Sequence, residues 1–240
     1  MASLLFRVID SKSDEIEDGI GYRSSRQRRP SLPRIPFHEE LFYIKRHVRQ
    51  FHHTDSPFVS TTTSFLWALW EAGRRKNMSR PKRNIRIMVI NQDAIDPIHR
   101  RILYEGKYMN DLYSLDKACG HFARTSSEVL IKHRIPEGAI LAIITWDGIK
   151  RYLLGIPLHL GSMEYQENEV MGRRYGRWGS YERRLQSWRA VFAQNEPVAR
   201  SSLGKDIRAI CRRGVENANR SKFTEEVYKQ LVQHIFSGLS

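Results

Sequence analysis

Along the first part of the chain, short apolar runs are separated by polar stretches bearing glycine and proline, and each run carries the period of one element. Leu4 to Asp10 predicts a short strand, and Ser11 to Pro36, rich in Ser, Arg, Gly and Pro, predicts a loop after it. Phe37, Leu41, Ile44 and Val48 recur close to helical spacing, so Phe37 to Phe51 predicts an amphipathic helix covering a sheet. Pro57 to Thr63 is β-branched and fits a strand. Ser64 then caps a helix from Phe65 to Ala72 that Gly73 stops; it is apolar nearly all round and therefore predicted to be buried. Arg74 to Arg83 predicts a basic loop. Ile85 to Ile90, Glu128 to Ile135 and Ile140 to Trp146 predict three further strands, with Pro136-Glu137-Gly138 as the turn between the last two.

After Gly148 the pattern changes. Arg173 to Arg184 is polar and basic without a clean period, whereas from Val198 helical spacing returns, with Phe223, Val227, Leu231 and Ile235 forming one stripe. Glu225 and Glu226 precede Lys229 in that helix, the order its macrodipole favours. The expected organisation is an α/β domain over residues 1–148, a basic connecting segment over 149–197 and a C-terminal helical segment over 198–240, with no internal repeat.

Composition narrows the class. Forty per cent of the 240 residues are hydrophobic and 10% aromatic, enough for a core. No run approaches the roughly 20 apolar residues of a membrane helix, so the expectation is a soluble protein with no membrane partner. The opening Met-Ala-Ser-Leu-Leu-Phe is too short for the apolar core of a signal peptide. With only Cys119 and Cys211, the chain has no disulfide framework, which points to a reducing, cytoplasmic or nuclear location and leaves delivery as an effector open. Forty Lys and Arg against 26 Asp and Glu give +14, a surface that attracts phosphate-rich partners.

Several chemistries drop out. There is no Walker loop, and Gly19-Ile20-Gly21 lacks the third glycine and the strand-to-helix setting of a dinucleotide fingerprint. His52-His53-Thr54-Asp55 has no second cluster at metal-ligand spacing, so no metal site is expected. Neither cysteine has a nucleophile signature. Three blocks remain: Leu5-Phe6-Arg7-Val8 on the first strand, Ser56-Pro-Phe-Val-Ser60-Thr-Thr-Thr-Ser64 entering an apolar helix, and Ser126-Ser127-Glu128-Val129 before Ile135-Pro136.

In this order the blocks resemble the arginine–serine–glutamate class of ADP-ribosyltransferases, the group containing the catalytic chains of cholera toxin and heat-labile enterotoxin. They are also similar to an uncharacterised fungal domain family. The resemblance covers about three-fifths of the chain, and it implies a split mixed β-sheet that grips NAD, the co-substrate, in a cleft lined by the three residue types.

On that resemblance Arg7, Ser60, Thr61 and Glu128 bind the dinucleotide, and Glu128, Ser60 and Arg7 form the catalytic set. The residue types suit the chemistry: a guanidinium bonds phosphate or ribose oxygens, strand hydroxyls alternate between faces, and a fixed carboxylate opposes positive charge developing on ribose. Each has an ordinary alternative. Arg7 also reads as an exposed strand arginine, Glu128 as a solvated strand glutamate near Lys132, and the hydroxyls of Thr62 to Ser64 as partners for backbone at a strand-to-helix junction.

Ser126 occupies the acceptor side, where arginine-modifying members carry a second glutamate. A hydroxyl is a far weaker base, which counts against arginine as acceptor. The expected function is mono-ADP-ribosyl transfer to a macromolecular acceptor, protein or nucleic acid, with NAD hydrolysis or a binding-only module as alternatives. Phe58, Phe65 and Trp67 border the Ser–Thr block and read as core. Arg173 to Arg184, interleaved with Tyr175, Trp178 and Tyr181, has the ingredients of a nucleic-acid surface or of a solvated loop. Arg26 to Arg29 and Arg74 to Arg83 are basic clusters of the kind that direct nuclear import.

Overall fold

The computed structural model describes residues 3–10, 16–17, 21–23, 36–49, 56–76, 83–146, 186, 189 and 229–233. Strand β1 (Leu4–Ile9) is followed by two short strands, β2 (Ile16–Glu17) and β3 (Gly21–Arg23), then helix α1 (Phe37–Arg49), β4 (Phe58–Thr62) and α2 (Phe65–Lys76). Next come β5 (Arg86–Asn91), β6 (Arg100–Ile102), α3 (Gly106–Leu115), α4 (Lys117–Thr125), β7 (Glu128–Lys132), β8 (Arg134–Ile135) and β9 (Ile140–Thr145). Six strands form one sheet in the order β6-β7-β4-β1-β5-β9, and β2-β3-β8 form a smaller one.

The fold is α/β, but the expected mixed sheet is corrected: every hydrogen-bonded pair in both sheets is antiparallel. Both β4 and β5 run opposite to β1, so they are parallel to each other. They are joined through α2, the kind of helical crossover that parallel strands require. Because β1 lies between them, the parallel relation never becomes a hydrogen-bonded pair.

Two apolar layers hold the domain. On one face Leu5, Ile9, Val59, Met88, Ile90, Val129 and Ile131 meet Ile135, Ala139 and Ile140, which brings the small sheet against the large one. On the other, Ile44 and Val48 of α1 pack with Leu112 of α3, Ala123 of α4, Phe58 and Leu130. Helix α2 is buried along most of its length, and Phe65 meets Phe6 of β1 edge-on at 5.1 Å.

Three element boundaries differ from expectation. Helix α2 passes through Gly73 to Lys76, so the expected basic loop begins as helix. A mid-helix glycine costs about 1 kcal/mol relative to alanine. Here Arg74 grips Glu71 through two nitrogens at 2.7 Å, and Arg75 joins both Glu71 at 2.9 Å and buried Asp10 at 3.0 Å. These contacts carry the helix onward, and the guanidinium groups hold the Glu71 carboxyl down at about 2 against its burial. The expected strand from Glu128 to Ile135 divides at His133, whose left-handed φ of 68° turns the chain out of the large sheet, so that β8 pairs in the small one. Strand β6 and helices α3 and α4 were not anticipated. Asp116 separates the helices by one residue and caps α4, accepting from the amides of Ala118 and Cys119. Gly120 lets them close together, since a Cβ there would stand 2.6 Å from the Tyr113 ring.

Helix α1 is pinned by a charged cluster. Glu40, 5% exposed, receives Arg101 of β6 through two nitrogens at 3.1 and 2.9 Å and the Tyr108 hydroxyl at 3.2 Å, with Lys132 at 3.5 Å. Glu40→Ala strands two cations in a largely buried place and is expected to cost about 3 kcal/mol in denaturant unfolding. Arg101→Ala leaves Glu40 with Lys132 and should cost less.

Among the described residues no helix is long and apolar enough to cross a membrane. The Arg26–Arg29 cluster, the histidines at 52 and 53, Cys211 and the basic run 173–184 lie outside the described residues. So do the proposed segments 149–197 and 198–240, apart from residues 186, 189 and 229–233. Within the last piece, Gln230 and Leu231 are buried.

Candidate functional site

The site forms where the large sheet splits. Strand β1 pairs with β5 at six positions and β4 with β7 at five, but β1 and β4 share only Phe6↔Thr62. Arg7 is the next residue. By alternation it shares a face with Leu5 and Ile9, toward the small sheet, whereas Ser60 and Glu128 share a face with Leu130, toward α1. The expectation that all three side chains line one face is thereby corrected: Arg7 touches Ser60 through its backbone, Nη1 donating to the Ser60 carbonyl at 2.7 Å, and acts on the Glu128 carboxyl through its charge.

Ser60 and Glu128 meet because Ser60 pairs with Leu130 and Thr62 with Glu128, which puts both side chains on one face of neighbouring strands. The Ser60 hydroxyl donates to Glu128 Oε1 at 2.8 Å. What aims Glu128 is the turn before it. Ser127 adopts a left-handed φ of 48°, its carbonyl accepts from the Thr63 amide at 3.1 Å, and the Glu128 carbonyl accepts from the Leu103 amide at 3.0 Å. Glu128 is 5% exposed, and its Oε2 is buried without a hydrogen-bond partner among the described residues. Burial pushes its carboxyl up to about 7, against the downward pull of the Ser60 and Ser126 hydroxyls and the Arg7 guanidinium. The ordinary alternative of a solvated glutamate is thereby excluded, and Lys132 reaches Glu40 instead.

Of the other expected site residues, Thr61 faces away and Ser126 stays beside the carboxyl. Thr61 faces the opposite side of β4 from Ser60, and its buried hydroxyl donates to the Val129 carbonyl at 2.6 Å, so it serves the sheet. Ser126 lies beside the Glu128 carboxyl, yet it is 2% exposed and its hydroxyl donates to the Phe122 carbonyl at 2.9 Å, ending α4. Thr62 and Ser64 hydroxyls serve backbone at the strand-to-helix junction, accepting from the amides of Ser64 and Trp67. Phe58, Phe65 and Trp67 are core residues, Trp67 stacking near Trp70 and meeting Phe122 edge-on.

One residue of the site escaped the sequence reading. His47, on the buried face of α1 and 3% exposed, places Nε2 at 2.7 Å from the Ser60 hydroxyl oxygen and Nδ1 against the Ser56 hydroxyl. The available signal was its place one turn after Ile44 and one residue before Val48, on the apolar stripe, where a polar side chain is the informative exception. With Glu128 ionised, the Ser60 hydroxyl donates its hydrogen bond to the carboxylate, so His47 Nε2 is the donor to the Ser60 oxygen and Nδ1 accepts from Ser56. The Ser56 oxygen in turn accepts from the Phe58 amide at 3.2 Å.

The arrangement thus offers a guanidinium bridging two strands where their pairing is reduced to one position, a hydroxyl bonded to a carboxyl on the other face, and one carboxylate oxygen without a hydrogen-bond partner among the described residues. Among the described residues no group of His, Cys, Asp and Glu could hold a metal. Cys119 is buried and its thiol is pushed up to about 12, chiefly by burial, which makes it a poor nucleophile. Residues 1–149 match the family model DUF7587, a domain of unknown function. No curated protein matches the chain.

Proposed function

We propose that the chain, which belongs to the DUF7587 family, is an NAD-dependent mono-ADP-ribosyltransferase acting on a macromolecular acceptor other than arginine. In this reading residues 1–148 are a split-sheet ADP-ribosyltransferase-like domain, followed by a helical C-terminal extension. The observation that carries it is the junction of Arg7, Ser60 and Glu128 at the split, with one buried carboxylate oxygen unbonded. An oxygen left without a partner away from water is costly unless something else uses it.

NAD supplies a ribose–nicotinamide bond whose cleavage leaves positive charge on the sugar. Arg7 holds the anionic dinucleotide at the split. Ser60 fixes Glu128 Oε1, and Oε2 faces the developing charge, stabilising the transition state more than the ground state. Ser126, buried and bonded to backbone, adds no second base, which is why an arginine side chain fits poorly as acceptor. The formal charge of +14 favours a non-catalytic module binding nucleic acid or protein as the second reading.

Incubating the pure protein with labelled NAD, alone and with cell lysate, separates these. Label on protein or nucleic acid supports the transferase, nicotinamide release without labelled lysate means a glycohydrolase, and neither favours binding alone. Since Glu128 works ionised and its carboxyl is held at about 7, kcat/KM for nicotinamide release should rise with pH and level off above about pH 8. A flat profile over that range would remove Glu128 from the reacting set.

A further inference from the structure

We infer that His99, Arg100, His133 and Arg134 form a binding edge for a single-stranded nucleic acid, the guanidinium groups meeting phosphates and the imidazole rings meeting bases. Its use as a grip on the acceptor rests on the transferase reading; the binding rests on geometry and charge alone. Strand β6 closes one side of the six-stranded sheet and pairs with β7, Arg100 opposite Ile131. The residues just before it, Pro97–His99, form a single helical turn. After β7 the left-handed φ of 68° at His133 turns the chain, and the His133 ring stands 6.3 Å from that of His99, the two meeting edge-on at 71°. Arg134 follows on β8, an outer strand of the small sheet. The two sheets thus place these four side chains where their edges adjoin.

Among the described residues no ion pair engages Arg100 or Arg134, and both Arg134 and His99 are exposed. Their cationic neighbours are already engaged, since Arg101 and Lys132 face buried Glu40. Asp96 is turned onto the Ile98 amide at 2.9 Å. The His133 imidazole is held below its ordinary value by burial and then by the positive charges of Lys132 and His99, with no carboxylate opposing them. An anion placed here relieves that repulsion. Ile98, the most exposed large apolar side chain described at 66%, adds a hydrophobic surface next to the His99 ring. Cations for a phosphate backbone beside rings and apolar surface for unstacked bases are the composition of a single-strand site. An added peptide strand fits poorly, because Arg101 Nη1 donates to the Ile98 and Arg100 carbonyls at 2.7 and 2.9 Å and so occupies ladder positions on this edge. Along β7, Lys132 is about 13 Å from Glu128. A few nucleotides held at this edge therefore lead toward the Glu128 end of the strand.

The test is fluorescence anisotropy of the full chain with a labelled single-stranded oligonucleotide of mixed sequence, about 12 nucleotides long, over a range of salt. Because the whole chain carries +14, losing any two cations weakens binding somewhat, so Lys117→Ala/Arg124→Ala, which removes two exposed cations of α4, is the charge-matched control. Arg100→Ala/Arg134→Ala should bind about tenfold or more weaker than that control, and the slope of log affinity against log salt should shrink by about 1.4 for two lost phosphate contacts. His99→Ala should weaken the single strand by about fivefold or more and leave a duplex of the same sequence nearly unaffected, since paired bases are closed to a ring. Equal affinities in Arg100→Ala/Arg134→Ala and the control would overturn the site. An equal loss for single strand and duplex in His99→Ala would overturn the base contact, and polyglutamate competing as well as unlabelled oligonucleotide would overturn nucleic acid in favour of an acidic peptide. These outcomes are read without NAD, so a wild type that releases no nicotinamide overturns the transferase reading instead.

Discussion

Glu128→Gln is expected to make the protein more stable and nearly inactive. The carboxyl lies at about 7 in the folded chain against 4.5 ordinarily, because burial disfavours the charge more than Ser60, Ser126 and Arg7 favour it. A raised folded value means the carboxyl supports the fold fully below the unfolded value, and that support is lost as pH rises through about 7. Above pH 8 the wild type therefore carries a destabilising ionised group, worth on the order of 3 kcal/mol at 1.36 kcal/mol per unit. Glutamine has no charge to bury and keeps most of the shape. Its Tm should exceed that of the wild type above about pH 8, and the difference should close below about pH 4.5. Over the same change, nicotinamide release should fall by about a hundredfold or more, because the amide cannot oppose positive charge on ribose. Stability gained where activity is lost marks a strained functional group. Unchanged turnover in Glu128→Gln would exclude this carboxylate from the chemistry.

Arg7→Ala should fail differently. The guanidinium donates to the Ser60 carbonyl across the split and is the cation nearest the carboxyl. As an anchor for the dinucleotide it acts before and during bond cleavage, so NAD affinity and turnover should both drop. A charged hydrogen bond is worth about 1.5–3 kcal/mol, or roughly ten- to a hundredfold in Kd. Arg7→Lys should restore little, since an ammonium cannot bond the Ser60 carbonyl and an anion with the same planar fork. Calorimetry with NAD checks both variants; Glu128→Gln should bind nearly as the wild type does. Wild-type affinity in Arg7→Ala would leave Arg7 a purely structural bridge across the split.

Long, strongly patterned elements were legible in the sequence, and short or context-dependent ones were not. Leu4–Ile9, Phe37–Arg49 and Phe58–Thr62 follow from their apolar periods nearly to the residue. Strand β6 is three residues of Arg-Arg-Ile, too short for any period, and its place at the sheet edge comes from pairing with β7. Helices α3 and α4 meet at Asp116 with no proline between them, so one capping side chain does the work of a loop. Gly73 misled because Glu71, Arg74 and Arg75 stabilise the helix beyond it, a side-chain effect that residue propensity does not contain.

For the site, the blocks around Ser60 and Glu128 marked two side chains that meet on one face, whereas Arg7, expected to line the same cleft, stands on the opposite face and touches the Ser60 backbone carbonyl. Their order along the chain could not show that Arg7 comes from the other face through a split, since that depends on β1 and β4 sharing one paired position. Nor could it separate Ser60 from Thr61: both are hydroxyls in one strand, and only register shows that one faces Glu128 and the other the Val129 carbonyl. His47 was hidden for the same reason, since its partners Ser56 and Ser60 lie on a different element.

The most direct measurement of the central claim is titration of the wild-type chain with NAD by calorimetry, followed by nicotinamide release from the same preparation. The account predicts saturable binding with Kd at about 1 mM or tighter, competed by ADP-ribose, and slow nicotinamide release that rises with pH through about 7. No binding heat at several times about 1 mM, with no nicotinamide released, would contradict it.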